Sequence, residues 1–215
     1  MRKNLTQTPR LSFCAELLDC NMKAMPATAE RRFLPSAPPV VKGRTVSGVA
    51  AKFNSRSENF GTADRPVFEI IAPGAFDDVL SDDVIACYNH DESAILARST
   101  GGKGTLKLSV DQVGLNYEFI APETTVGNDV LESIKRGDIN SSSFAFIVAE
   151  GGDTYTPITG GGTLRTITKI AKLYDVSPVC RGAYPAASVT ARALPGQPVA
   201  TPALNAWKAM LGFLK

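Results

Sequence analysis

Residues 104–120 read GTLKLSVDQVGLNYEFI. Leu106, Leu108 and Val110 alternate with polar residues, and so do Leu115, Tyr117 and Phe119 after the Asp111–Gly114 segment. A period of two puts each apolar set on one face of a strand, and a Gly-containing tetrad between two such runs predicts a β-hairpin with a buried side. Downstream, Thr124 or Thr125 can cap a helix that carries Val126, Val130, Leu131 and Ile134 at helical spacing, with Gly137 as its stop. Alternation resumes in Ser142–Val148: Phe144, Phe146 and Val148 share one face, while Ser141, Ser143 and Ala145 point the other way. The glycines at 151–152 and 160–162 bracket a further hairpin-like region, and Thr163–Thr168 leads into an expected strand, Ala171–Val179.

Upstream, Thr45–Phe53 and Val67–Ala72 are expected strands, and Pro73-Gly74 turns the chain into an expected short helix, Ala75–Leu80. Val84–Asn89 is a short apolar run that ends in Asn89-His90-Asp91. Strands outnumber helices without regular alternation, which predicts an α+β, mainly β fold: a mostly antiparallel barrel or sheet core with a few flanking helices. Residues 1–43 read as an arm with room for a short helix around Phe13–Leu18, and residues 44–192 as the folded domain. Residues 193–215 read as a Pro-rich linker ending in a short amphipathic helix with Leu204, Trp207, Leu211 and Leu214 on one face.

Composition narrows the function. The chain has 215 residues with 23 Lys plus Arg against 21 Asp plus Glu, so no basic excess points to nucleic acid. No apolar run is long enough for a membrane span. None of the four cysteines (Cys14, Cys20, Cys87, Cys180) forms a C-x-x-C pair, which suits free thiols in a reducing cytoplasm. The single histidine, His90, excludes mechanisms that need two imidazoles and multi-histidine zinc sites. No metal and no cofactor is expected.

Three residues carry the candidate chemistry. A lone histidine is commonly structural, but His90 is the one side chain whose ordinary pKa suits proton shuttling near neutrality. Ser143 opens an alternating strand opposite the Phe144/Phe146 face; the cluster Ser141-Ser142-Ser143 is either a loop or the seat of a nucleophile aimed into a cleft from a rigid element. Asp175, within apolar Leu173–Val179, is either a surface ion pair or a carboxylate that orients His90. Gly101-Gly102-Lys103-Gly104 lacks phosphate-loop spacing and reads as a hairpin turn. Cys87 and Cys180 lie in apolar contexts that suit inert thiols, and the pairs Asp77/Asp78 and Asp82/Asp83 suit solvated carboxylates better than a metal site.

Taken together, the segments resemble the tailed-phage prohead maturation proteases, serine peptidases distantly similar in fold to herpesvirus assemblin. The resemblance rests on VSGVAAKF (46–53) with SENFG (57–61), FEIIAPGAF (68–76), NHD (89–91), GTLKL (104–108), GLNYEF (114–119), RGDINSSSFAF (136–146) and DVSPVCRGAYP (175–185) with Val189. It runs in unbroken order over roughly residues 30–192.

It implies a Ser-His-Asp serine endopeptidase with His90 as base, Ser143 as nucleophile and Asp175 as the third member, where assemblin has a second histidine. The family often has Gly-Leu or Gly-Met before the serine. Here Ser141-Ser142 stand there, so the nucleophile is Ser143 or, after a one-residue shift, Ser142. Arg181 is a helper candidate that holds a water against the oxyanion. The implied substrates and partners are the major capsid protein with its scaffolding region, any separate scaffold, and the protease itself. Action is expected inside the assembling prohead in the host cytoplasm, with a homodimer by analogy to assemblin and no nucleic-acid or membrane partner. Two rival readings are a non-catalytic scaffold or capsid-assembly protein that keeps the fold, and a cysteine peptidase built on Cys87 or Cys180 with His90.

Overall fold

The computed structural model describes residues 26, 28–34 and 38–180. The expected helices at Phe13–Leu18 and Leu204–Lys215, and the helper candidate Arg181, lie outside these residues. In chain order the elements begin with β1 (Glu30–Leu34), β2 (Val40–Lys42), β3 (Thr45–Lys52), β4 (Val67–Ile71), β5 (Val84–Cys87), β6 (Ile95–Thr100) and β7 (Lys103–Gly104). They continue with β8 (Leu106–Val110), β9 (Gly114–Ile120), α1 (Thr125–Arg136), β10 (Ser141–Val148), β11 (Asp153–Pro157), β12 (Thr163–Ile167) and β13 (Ile170–Val179).

The hairpin at 104–120 forms in the expected register, with Leu106 opposite Phe119, Leu108 opposite Tyr117 and Val110 opposite Leu115. Asp111 builds its turn by accepting from the amides of Val113 (2.8 Å) and Gly114 (3.0 Å). The pair β8–β9 continues through β3 to β2 as a four-stranded sheet. Gly48 sits opposite Tyr117 on β3, where a Cβ would collide with the phenol ring, so the missing side chain lets the tyrosine lie flat across the strand.

A six-stranded sheet runs β1-β10-β13-β5-β6-β7, and a three-stranded one runs β11-β12-β4. The fold is α+β and mainly β, as expected, but among the described residues the strands form three sheets and no closed barrel. Among the described residues two strand pairings are parallel, β13 with β5 and β12 with β4, and so is the isolated bridge between Phe53 and Ile71. Among the described residues α1 is the one α-helix. Thr124 caps it by accepting from Gly127 N at 3.2 Å, and Gly137 ends it in the left-handed conformation at φ 82°. The expected helix at Ala75–Leu80 is instead a succession of tight turns closed by i→i+3 bonds, such as Val79 N to Phe76 O at 3.1 Å. A segment this short cannot offset the cost of helix nucleation. The glycines at 160–162 form the turn of the β11–β12 hairpin, and Gly101-Gly102 forms that of β6–β7. Two strands, β1 and β2, lie within the stretch read as an arm.

The core lies between the sheets. Phe76 packs edge-on against Phe144 (centroids 5.7 Å apart), which stacks on Phe146 at 4.8 Å, and all three are buried. The apolar face of β10 therefore points inward, which turns Ser143 to the opposite face of the six-stranded sheet.

Candidate active site

In that sheet β13 lies between β10 and β5, so residues of three strands meet on one face. Ser143 on β10 pairs with Ser177 on β13, and Asp175 on β13 lies beside Ile85 of β5. Immediately after β5 the chain makes a tight turn. Asn89 and His90 both take left-handed backbone conformations, at φ 52° and 61°, which non-glycine residues adopt at an energetic cost. The turn is held by Asn89 N on Pro178 O (3.1 Å), Asp91 N on Tyr88 O (3.0 Å) and Cys180 N on Asn89 Oδ1 (3.2 Å). The first and last of these tie it to the end of β13. The strained backbone projects the imidazole back across β13.

There the imidazole meets both partners named from the sequence. His90 Nδ1 lies 2.7 Å from Asp175 Oδ1, and His90 Nε2 lies 2.6 Å from Ser143 Oγ. Separations of 85 and 53 residues collapse onto one ring. The Asp175 carboxylate is buried, with a side chain 4% exposed, and that of His90 is 11% exposed. A buried carboxylate needs donors to offset lost hydration. Asp175 has the imidazole N–H and the Ser177 hydroxyl, which donates to Oδ1 at 2.7 Å. A carboxylate only accepts, so Nδ1 carries a proton and Nε2 of a neutral ring is free to accept from Ser143. The Ser143 hydroxyl has a second acceptor within reach, the Arg32 carbonyl of β1 at 2.8 Å.

The remaining candidates fall elsewhere. Ser142 faces the core and pairs with the Tyr117 hydroxyl at 2.9 Å. Cys87 lies 3.3 Å from the Ser177 hydroxyl, and burial pushes its thiol up to about 12, so it is a poor source of thiolate. Cys180 accepts from Asn89 Nδ2 at 3.5 Å. With both ring nitrogens occupied by Asp175 and Ser143, neither thiol contacts the base. Asp78 pairs with Lys169, Asp82 with Lys172 and Asp83 with Arg98, and no metal-binding cluster occurs among the described residues.

A family model described as caudovirus prohead serine protease matches residues 38–201, well over half of the chain. The chain belongs to this family. No curated protein and no solved structure matches it. Membership places the chain among serine peptidases of phage head maturation, which implies interaction with capsid components within the assembling head in the host cytoplasm. No helix among the described residues is long and apolar enough to cross a membrane.

Sequence reasoning missed two features of this prohead protease. One is Ser177, adjacent to the acid and invisible as a partner until β13 and its phase are fixed. The other is a partly buried ion cluster that anchors β1 beside Ser143. Arg32 holds Glu69 through two bonds of 2.7 and 2.8 Å and Glu30 at 2.6 Å. Arg165 holds Glu30 (2.6 and 2.9 Å), Glu69 (3.0 Å) and Asp153 (2.7 Å). The forked guanidinium geometry matches these carboxylates, and the cluster ties β1 to β4, β11 and β12. The available signal was the same-face spacing of Glu30 and Arg32 and an arginine inside a strand pattern.

Proposed function

We propose that the chain is an endopeptidase in which Ser143, His90 and Asp175 form the catalytic triad. The observation that carries this reading is the single imidazole bridging a serine hydroxyl at 2.6 Å and a buried carboxylate at 2.7 Å. His90 Nε2 takes the proton from Ser143 Oγ as that oxygen attacks the scissile carbonyl carbon. Asp175 holds the ring in the tautomer with Nδ1 protonated and stabilises the imidazolium that forms. The imidazolium then gives its proton to the leaving amine. Water then attacks the acyl carbon as it loses a proton to the same nitrogen, the bond from that carbon to Ser143 Oγ breaks, and the imidazolium returns the proton to Oγ. The rigid strands β10 and β13 fix two members of the triad, and the strained turn fixes the third.

The substrates are the scaffolding region of the major capsid protein, any separate scaffold, and the protease chain itself. Co-expression with the capsid protein of the same phage tests this reading through intact masses of all products. Wild type is expected to give shortened capsid protein and Ser143→Ala the full-length form. Identical full-length masses from both would instead indicate a non-catalytic assembly protein.

A further inference from the structure

The inner side of the triad is closed by two groups with no part in the proton transfer. Ser177 is wholly buried, two residues beyond Asp175 on the same face of β13. Its hydroxyl donates to Asp175 Oδ1 at 2.7 Å, the same oxygen that receives His90 Nδ1–H. On its other side stands Cys87, also buried, with Sγ 3.3 Å from Ser177 Oγ. Hydrogen-bond arithmetic gives this line one direction. The ionised Asp175 only accepts, so the single Ser177 proton goes to it, and Ser177 Oγ is left to accept from the Cys87 thiol. The line reads Cys87 S–H to Ser177 O–H to Asp175, which is met from the other side by His90 N–H.

We propose that Ser177 is a positioning residue of the active site, acting through Asp175: it fixes the carboxylate rotamer and supplies the second donor that holds Oδ1 aimed at the imidazole, with Cys87 orienting the serine. This rests on the triad reading above. The argument is geometric. Asp175 is reached by two donors on one oxygen, and a carboxylate free to rotate about its last bond would offer His90 either oxygen or neither. An ionised acceptor also gains more from each donor than a neutral one does.

Two measurements test it. The first is the rate of covalent labelling by a fluorophosphonate probe, with the reactivity step separated from probe binding. Ser177→Ala is expected to slow the reactivity step roughly tenfold to hundredfold, the range set by a hydrogen bond to a charged group, and to leave probe binding unchanged. In an Asp175→Ala background the same substitution is expected to cost nothing further, because the acceptor of the Ser177 hydroxyl is gone. Equal losses in both backgrounds, or no loss in either, would overturn the proposal. The second readout does not depend on catalysis. His90 is the only histidine, so its Nδ1–H proton resonance is assigned without ambiguity. That resonance is expected to move in Ser177→Ala and to stay in place in Ser109→Ala, an exposed position on β8; an unmoved resonance in Ser177→Ala overturns the proposal. A wild-type protein that takes no label contradicts the triad reading, and the resonance still decides the role of Ser177.

Discussion

At Ser143 one hydroxyl proton faces two acceptors, His90 Nε2 and the Arg32 carbonyl, and in the proposed mechanism only donation to the ring leads to chemistry. Its neighbour Ser142 points the other way, to Tyr117. Ser142→Ala is therefore expected to retain catalysis while losing about 1–3 kcal/mol of stability, because the buried phenol loses a partner. Urea unfolding and a cleavage assay on the same sample check both halves. Asp175→Asn is expected to keep the fold and to lower the rate by about four orders of magnitude, the size of the tautomer effect in a serine-histidine-aspartate triad; steady-state kinetics measure it. The phase of β10 was legible because Phe144, Phe146 and Val148 alternate with the serines, and that phase alone turns Ser143 away from the core. The left-handed backbone of His90 was not legible, since the enrichment of histidine in that region is too modest to single out one position. Ser177 was hidden because a serine in a strand acquires meaning only through what lies 2.7 Å away.

Among the elements, β1 bears most directly on the site, because its Arg32 carbonyl accepts from the Ser143 hydroxyl and its side chains enter the ion cluster. Arg165→Met is expected to cost about 3–5 kcal/mol, since it strips Asp153 of its cation and leaves Arg32 alone to balance Glu30 and Glu69 in a mostly buried setting. A fall in the urea midpoint with an unchanged slope is the expected signature. The cluster could not be read from the chain because its partners lie 37, 96 and 135 residues apart and alternation gives a strand's face without naming its neighbour. Helix α1, by contrast, was legible from local signals: a threonine before the run, apolar residues at helical spacing and a glycine after it. The turns at Ala75–Leu80 resemble a helix in composition and fail to become one for want of length. The parallel pairings of β13 with β5 and of β12 with β4 join distant strands, which no hairpin signal records.

For the whole molecule, the ion cluster makes stability depend on acid. Burial by itself would raise the Glu30 carboxyl, but Arg165 and Arg32 more than offset this and hold it below its ordinary value of 4.5. A carboxyl lowered by folding stabilises the native state above the unfolded value, and that contribution is lost as pH falls through the folded one. Stability is thus expected to decline below about pH 4.5, and Glu30→Gln to flatten that decline while lowering stability at neutral pH; urea midpoints across the pH range measure it. At this scale the three sheets serve to bring β10, β13 and the turn after β5 onto one face, so that the chain's only imidazole joins a hydroxyl and a carboxylate. The most direct measurement of that claim is peptide mass mapping after reaction of the full chain with a fluorophosphonate. The phosphonyl group is expected on Ser143 alone and is expected to vanish in His90→Ala; a label on Ser142 or Cys87, or one that survives loss of the imidazole, would contradict it.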